Sequence, residues 1–398
     1  MSPLSTSELD PIDILAVDEE LGETERDIRD TVRSFARSEL APHIAEWFEA
    51  GTMPKDLTKR LGALGLLGMH LEGYGCAGAS ATAYGVACRE LEAVDSGLRS
   101  FVSTQGSLAM YALHRWGSEE QKQQWLPAMA AGEAIGCFGL TEPDAGSDPS
   151  AMRTRARRHG DDWVLDGSKM WITNSPVADV AVVWAQTDPE QGAKGIRGFV
   201  VPTSTPGFTV NQITRKLSLR ASATGELVLE SVRLPADAVL PGAKGLSGPL
   251  ACLSEARFGI IWGAVGAARD CYETALAYAG QREQFGRPIA GFQLIQQKLS
   301  EMAVQVAQAS LLASRLGRLK DAGRLDPTHI SVGKLANVRA ALDVARSART
   351  ILGGNGITLE YPVFRHMVNL ETVLTYEGTE EMHMLSIGKA VTGVQAFR

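Results

Sequence analysis

The chain has 398 residues, of which 44% are apolar and 21% charged, with a formal net charge of −7. That length supplies ample apolar material for one large domain or two to three smaller ones, and mild acidity with scattered basic residues excludes a nucleic-acid surface. The five cysteines (Cys76, Cys88, Cys137, Cys252 and Cys271) are an odd number with no Cys-x-x-Cys pair, which excludes a zinc-ligand or disulfide framework and points to reduced thiols in a cytoplasmic protein.

No apolar run reaches the ~18 residues of a membrane span. Asp10, Asp13, Asp18, Glu19 and Glu20 precede the first basic residue, Arg26, the wrong charge for a secretory or mitochondrial leader. Residues 1–20 show little periodicity and are expected to form an extended or mobile arm. From Glu23 the pattern turns helical, with Ile28, Val32 and Phe35 on one face. A second helix starts near Asp56, the Gly-rich stretch from Glu72 to Gly78 is a loop, Thr82 to Val94 is a third helix, and Leu108 to Trp116 is part of a fourth. Ser118 followed by Glu119, Glu120 and Gln121 is an N-cap with an acidic first turn. From about Gly136 to Leu240, Val, Thr and Trp rise and short runs alternate with Gly, Pro and Asp. Trp163 to Thr173 reads as two strands around an Asp-Gly turn. Val180 to Gln186, Gly198 to Pro202 and Glu226 to Leu234 are further strands of a sheet of roughly seven. Long helices follow: Arg257 to Arg282, interrupted only by Gly259, Gly263 and Gly266; Phe292 to Asp321; Ser331 to Leu352; Phe364 to Thr375; and Glu380 to Thr392. The order is helical, β, helical, an α+β fold class with domains over 1–134, 135–242 and 243–398. No βαβ alternation and no Gly-x-Gly-x-x-Gly after a strand suggests a dinucleotide fold.

Thr375-Tyr376-Glu377-Gly378-Thr379 places a carboxylate beside a glycine, on a short break between two amphipathic stretches, where it has room to face a ligand. Alone, Tyr376-Glu377-Gly378-Thr379 suits a solvated loop. Phe138 to Asp148 (Phe-Gly-Leu-Thr-Glu-Pro-Asp-Ala-Gly-Ser-Asp) can present backbone N–H groups and hydroxyls along one line, or be a polar turn. Arg282-Glu-Gln-Phe285-Gly-Arg-Pro288 marks a helix terminus. Its arginines suit a phosphate because a guanidinium donates in pairs, or they are simply solvated.

Together with Trp171-Ile172-Thr173, these stretches in this order resemble the acyl-CoA dehydrogenase family. The resemblance implies an N-terminal helical domain, a central β-barrel-like domain and a C-terminal four-helix bundle, with FAD as cofactor, an acyl-CoA thioester as substrate, electron-transferring flavoprotein as partner and no metal. It implies that Phe138, Leu140, Thr141, Gly146 and Ser147 line the flavin or the thioester. Trp171, Ile172 and Thr173 match a second flavin-contacting strand. Arg282, Phe285 and Gln293 reach the FAD pyrophosphate of a neighbouring subunit in a homotetramer (a dimer of dimers), and Leu352, Gly353, Gly354, Thr379 and Phe397 complete the cofactor set. Ser147, Ser254, Arg257, Tyr376 and Gly378 fall to the substrate. Glu377 is the catalytic base. Some members carry the base just before an arginine matching Arg257; here Ala256 stands there, and Glu255 points ~100° away on a helix.

Arg89 to Ser100, Leu217 to Gly225, Leu374 to Thr379 and Thr392 to Phe397 resemble the glutaryl-CoA dehydrogenase subfamily. There, an arginine and a serine at the places of Arg99 and Ser100 hold the distal carboxylate of glutaryl-CoA, with a glutamate at the place of Glu92 nearby. The alternative reading of Arg99 is a surface ion pair, with Asp95 as its candidate partner. The activity implied is oxidative decarboxylation of glutaryl-CoA to crotonyl-CoA and CO2. The alternative is a non-decarboxylating dehydrogenase of another short-chain or dicarboxylyl thioester.

Overall fold

The computed structural model describes residues 9–396. In chain order the helices are α1 (Glu23–Phe35), α2 (Ile44–Ala50), α3 (Leu57–Ala63), α4 (Ala81–Glu92), α5 (Ser96–Ser103), α6 (Tyr111–Trp116) and α7 (Glu119–Ala130). Seven strands follow: β1 (Gly136–Gly139), β2 (Arg155–His159), β3 (Asp162–Thr173), β4 (Val180–Gln186), β5 (Ile196–Pro202), β6 (Phe208–Gln212) and β7 (Thr224–Leu234). Then come α8 (Ser247–Gln281), a hairpin of β8 (Glu283–Gln284) and β9 (Arg287–Pro288), α9 (Gln293–Asp321), α10 (Pro327–Leu352), α11 (Val363–Thr375) and α12 (Glu380–Thr392). The chain divides into two compact units. One comprises the stretch up to Glu46, Ala81–Arg99 and everything from Phe258; the other comprises Trp47–Ser80 and Ser100–Arg257.

In the first unit the core is rich in alanine. Ala264, Ala268 and Ala275 of α8 meet Met302 and Val306 of α9, Ala341 and Ala345 of α10, and Leu370 and Val373 of α11. Small residues let helix axes approach, and α8 uses glycine where α4 comes nearest. A Cβ on Gly266 would lie 1.9 Å from the Arg89 carbonyl, and one on Gly263 1.9 Å from Glu92 Oε2. The glycines that read as helix breakers are therefore close-approach sites. α4 is buried from Thr82 to Glu92, and its charges are matched inside: Glu90 accepts from Arg269 at 2.6 Å and from Arg33 at 2.9 Å. α10 starts as its sequence directs, with Asp326 capping the Thr328 N–H and Pro327 in the first turn. The described part of the expected N-terminal arm is not extended throughout. Val17–Glu20 forms a 3-10 turn with Val17 buried, and Asp18 binds Arg89 at 2.6 Å. An ion pair thus supplies the order that periodicity did not signal.

In the second unit a curled sheet runs β1-β4-β2-β3-β7-β6, with β5 on the other side of β4. β4 is buried at every position, parallel to β1 and antiparallel to β5. The expected hairpin at Asp166-Gly167 is not there. β3 is a single strand, and the pair sits at a bulge against β7, where Asp166 accepts the Ser231 N–H. The turn lies earlier, between His159 and Asp162. Gly167 takes φ 146° and lets Thr154 approach where a Cβ would clash at 2.5 Å. The Ser118 cap is as expected: its side chain accepts from the Gln121 N–H, and Gln121 returns the bond to the Ser118 N–H.

Among the described residues one helix, α8, is long and apolar enough by composition to cross a membrane, although Arg257 and Arg269 keep its uninterrupted apolar run short of a span. Its most apolar 18-residue window has a mean hydropathy of 1.2 and is 67% buried within the protein, as suits a core helix.

Candidate active site

The first unit holds the carboxylate turn. α11 ends at Thr375 and α12 begins at Glu380, whose N-cap Thr379 accepts the Met382 N–H. Three residues, Tyr376 to Gly378, turn the chain between them. Glu377 takes φ 52° and Gly378 φ 99°, a left-handed turn that an L-residue with a Cβ avoids and that functional positions often retain. Glu377 is half-buried.

Against this turn lies a fully buried charge pair. Arg99 and Glu92 are both 0% exposed. Arg99 Nε donates to Glu92 Oε2 at 2.6 Å, and its Nη2 donates to the Tyr376 hydroxyl. Arg99 Nη1 and Glu92 Oε1 are buried with no hydrogen-bond partner among the described residues. Burial by itself would pull the Arg99 guanidinium down, but Glu92, Tyr376 and Glu377 carry it well above its usual range. Burial, with Glu92 and Glu377 nearby, pushes the Tyr376 phenol up despite Arg99. The surface-pair reading of Arg99 is overturned. Asp95 instead binds Arg365 at 3.0 Å and Asn369 at 2.9 Å, because those side chains reach it from α11. Gly263 on α8 makes the room, since a Cβ there would also crowd Arg99 Nε at 3.2 Å.

The second unit holds the strand segments. Phe138 and Leu140 are buried, the Phe138 ring standing 6.1 Å from that of Trp184. Beyond them Thr141 is half-exposed and Gly146 and Ser147 are exposed. The segment is pinned from beneath. The Thr141 carbonyl accepts the Met170 N–H at 2.8 Å, and buried Lys169 donates to the Leu140 carbonyl at 3.1 Å and to Glu142 at 2.8 Å. Burial pushes Lys169 down to about 8 against the pull of Glu142. Trp171, where a core tryptophan would be ordinary, is 61% exposed at φ 64°. The register of β3 against β7 slips between Lys169 and Ile172, and that irregularity turns the indole outward. Ile172 is buried in the sheet core, so only its backbone is available to a ligand; Thr173 is half-exposed. Ser100 is buried, Ser254 donates to the Leu250 carbonyl within its own helix at 3.0 Å, and Arg257 is partly exposed.

Back in the first unit, Arg282 precedes the β8–β9 hairpin. Phe285 at its tip takes φ 54° and Gly286 φ 76°, the left-handed pair of a type I′ turn. Glycine accepts this readily, whereas phenylalanine does so at a cost, and its ring is 94% exposed. Gln293, in the first turn of α9, Gly353 and Gly354 are also exposed. The Leu352 side chain is packed in the helical core at 2% exposure, so only its backbone is available to a ligand. Phe397 lies outside the described residues. Sequence reasoning passed over Lys334, Lys169, Glu142 and Gly263. Only the glycine left a signal, as a break in an otherwise continuous helix.

The sequence matches the family models for the acyl-CoA dehydrogenase N-terminal domain over residues 22–133, the middle domain over 137–232 and the C-terminal domain over 243–392. The chain belongs to the acyl-CoA dehydrogenase family. It is 39% identical over 371 residues to the mitochondrial short-chain specific acyl-CoA dehydrogenase of Homo sapiens, covering 92% of this chain and 90% of that protein. Its structure is similar to a glutaryl-CoA dehydrogenase from Mycobacterium smegmatis in complex with FADH2, with TM-score 0.96, 62% identity, and coverage of 98% of this chain and 100% of that one. It is also similar to a glutaryl-coenzyme A dehydrogenase in complex with glutaryl-CoA, with TM-score 0.91, 33% identity, and coverage of 94% and 97%.

The family is FAD-dependent, and FAD is the cofactor. The second unit suits it. The hydroxyls of Thr141, Ser147 and Thr173 offer donors for an acceptor-rich ring, the exposed Trp171 indole offers a flat face, and a Cβ on Gly146 would meet nothing within 4 Å.

Proposed function

We propose that this acyl-CoA dehydrogenase oxidises and decarboxylates glutaryl-CoA to crotonyl-CoA and CO2. The observation that carries this reading is the buried Arg99, whose Nη1 has no hydrogen-bond partner among the described residues. An unmatched donor of this kind in a water-poor site calls for an acceptor. A carboxylate at the far end of an acyl chain supplies one in charge-assisted form. Glu92 fixes the guanidinium through Nε, leaving one edge of the fork for substrate, and Ser100 is assigned as a further donor.

Glu377 removes the α-proton of the thioester. A base must stand within ~3 Å of the proton's carbon and be oriented before reaction, and the Tyr376–Gly378 turn presents it on a short, held loop. Bound FAD supplies the two-electron acceptor for the β-hydride. The glutaconyl thioester so formed is vinylogous: its distal C–C bond breaks as CO2 leaves, and the electron pair passes into the conjugated carbonyl. Glu377, now protonated, returns its proton to the γ-carbon of the resulting dienolate, and the carboxylate is regenerated.

Electron-transferring flavoprotein is the proposed oxidant of the reduced enzyme, and the cytoplasm its compartment, which five unpaired cysteines support. We assign Arg282, Phe285 and Gln293 to the cofactor of a neighbouring subunit in a homotetramer. The exposed Phe285, at the hairpin tip, and the 74%-exposed Leu294, in the first turn of α9, support an interface there. A flavinated protein that sediments as a monomer would contradict this assignment. The second reading, a short-chain dehydrogenase without decarboxylation, is favoured by the likeness to the human short-chain enzyme. Anaerobic mixing separates acyl preferences: glutaryl-CoA should bleach the flavin with higher kcat/KM than butyryl-CoA, and the reverse order would overturn the dicarboxylate assignment.

A further inference from the structure

We propose that Lys334 is a positioning residue that clamps the carbonyls on either side of Glu377 and so aims the base. The inference rests on Glu377 being the base, as proposed above. Lys334 lies on α10 and is 1% exposed, although a lysine ordinarily carries its charge to water. Its Nζ donates to the Tyr376 carbonyl at 2.6 Å and to the Gly378 carbonyl at 2.6 Å. One ammonium therefore closes a ring around the backbone of Glu377.

The turn needs such a clamp. Its left-handed backbone at Glu377 is unfavourable for an L-residue, and the last carbonyls of a helix such as α11 lack partners within it. Two charge-assisted bonds from a buried cation answer both demands. The Tyr376 side chain is held separately, by Arg99 through its hydroxyl. Backbone and neighbouring ring are thus fixed from two different helices, leaving the Glu377 side chain few directions to take. Misplacing a catalytic group by ~1 Å can cost ~10²-fold in rate.

The test uses the flavinated enzyme. Lys334→Met removes the donors and keeps the apolar stem; Lys334→Gln keeps an uncharged donor and should fall between Met and wild type. With flavin content unchanged, Lys334→Met should lower the rate of flavin reduction by glutaryl-CoA by roughly 10- to 100-fold, with KM held within about threefold. Placed in a Glu377→Gln background, the same change should have an effect of no more than about twofold, because the step it serves is already gone. Equal losses in both backgrounds, a defect confined to KM, or loss of flavin in both lysine variants would overturn the proposal by making Lys334 a structural residue. Failure of the underlying reading is seen separately, as Glu377→Gln that still reduces its flavin at the wild-type rate.

Discussion

Replacing Glu377 with glutamine should leave FAD bound and slow flavin reduction by glutaryl-CoA by at least ~10²-fold, the lower range for a positioned base. The amide is nearly isosteric, so the turn between α11 and α12 has no steric reason to change. Lys334 holds that turn through the carbonyls of Tyr376 and Gly378, and neither bond involves the Glu377 side chain. What is lost is the basic carboxylate proposed to accept the α-proton. The alternative base position is filled by Ala256, buried at 0% exposure. Its neighbour Glu255 lies 4.0 Å from His70, a partner within the second unit. Rapid mixing under anaerobic conditions measures the effect. Near-wild-type bleaching would show that another residue takes the proton.

Arg99→Met should lower kcat/KM for glutaryl-CoA by roughly 30-fold or more. Losing one partner of a buried, hydrogen-bonded charge pair commonly costs ~2–5 kcal/mol, much of it the penalty on the charge left alone. Two carboxylates are left alone here: the substrate's, and that of Glu92, which loses its 2.6 Å bond to Arg99 Nε. The Glu92 penalty falls on every substrate, so the informative quantity is a ratio. Efficiency with butyryl-CoA or pentanoyl-CoA, which bring no carboxylate, should hold or improve relative to glutaryl-CoA. If both classes of substrate suffer equally, Arg99 serves the fold alone and the dicarboxylate assignment loses its physical support.

Local features of the site were legible in the sequence; long-range ones were not. The break at Tyr376 to Gly378 shows as a glycine between two amphipathic runs, and α9 and α12 begin and end within a residue of where periodicity placed them. No element was assigned to α5 because Ser-Gly-Leu-Arg-Ser is too short and polar to show a helical period; tertiary packing, which leaves Arg99 with no exposed surface, holds it helical. Asp166-Gly167 was misread because the pair that makes a tight turn also suits a bulge, and the choice depends on β7, some 60 residues later in the register. Asp95, weighed only as the alternative partner of Arg99, binds Arg365 instead, 270 positions away and beyond the reach of sequence spacing. The bond from Arg99 to Tyr376 spans 277 positions, and the bond from Lys334 to Tyr376 spans 42. No periodicity encodes a lysine that turns inward, so the bonds from Lys334 to the Tyr376 and Gly378 carbonyls became visible only with the fold.

Proton abstraction, hydride loss and carboxylate recognition are common to a decarboxylating and a non-decarboxylating enzyme. The decisive measurement is the identity of the thioester released when flavinated protein turns over glutaryl-CoA with an artificial electron acceptor. Crotonyl-CoA and one equivalent of CO2 per acceptor reduced is the expected result, and accumulation of glutaconyl-CoA without CO2 would contradict it.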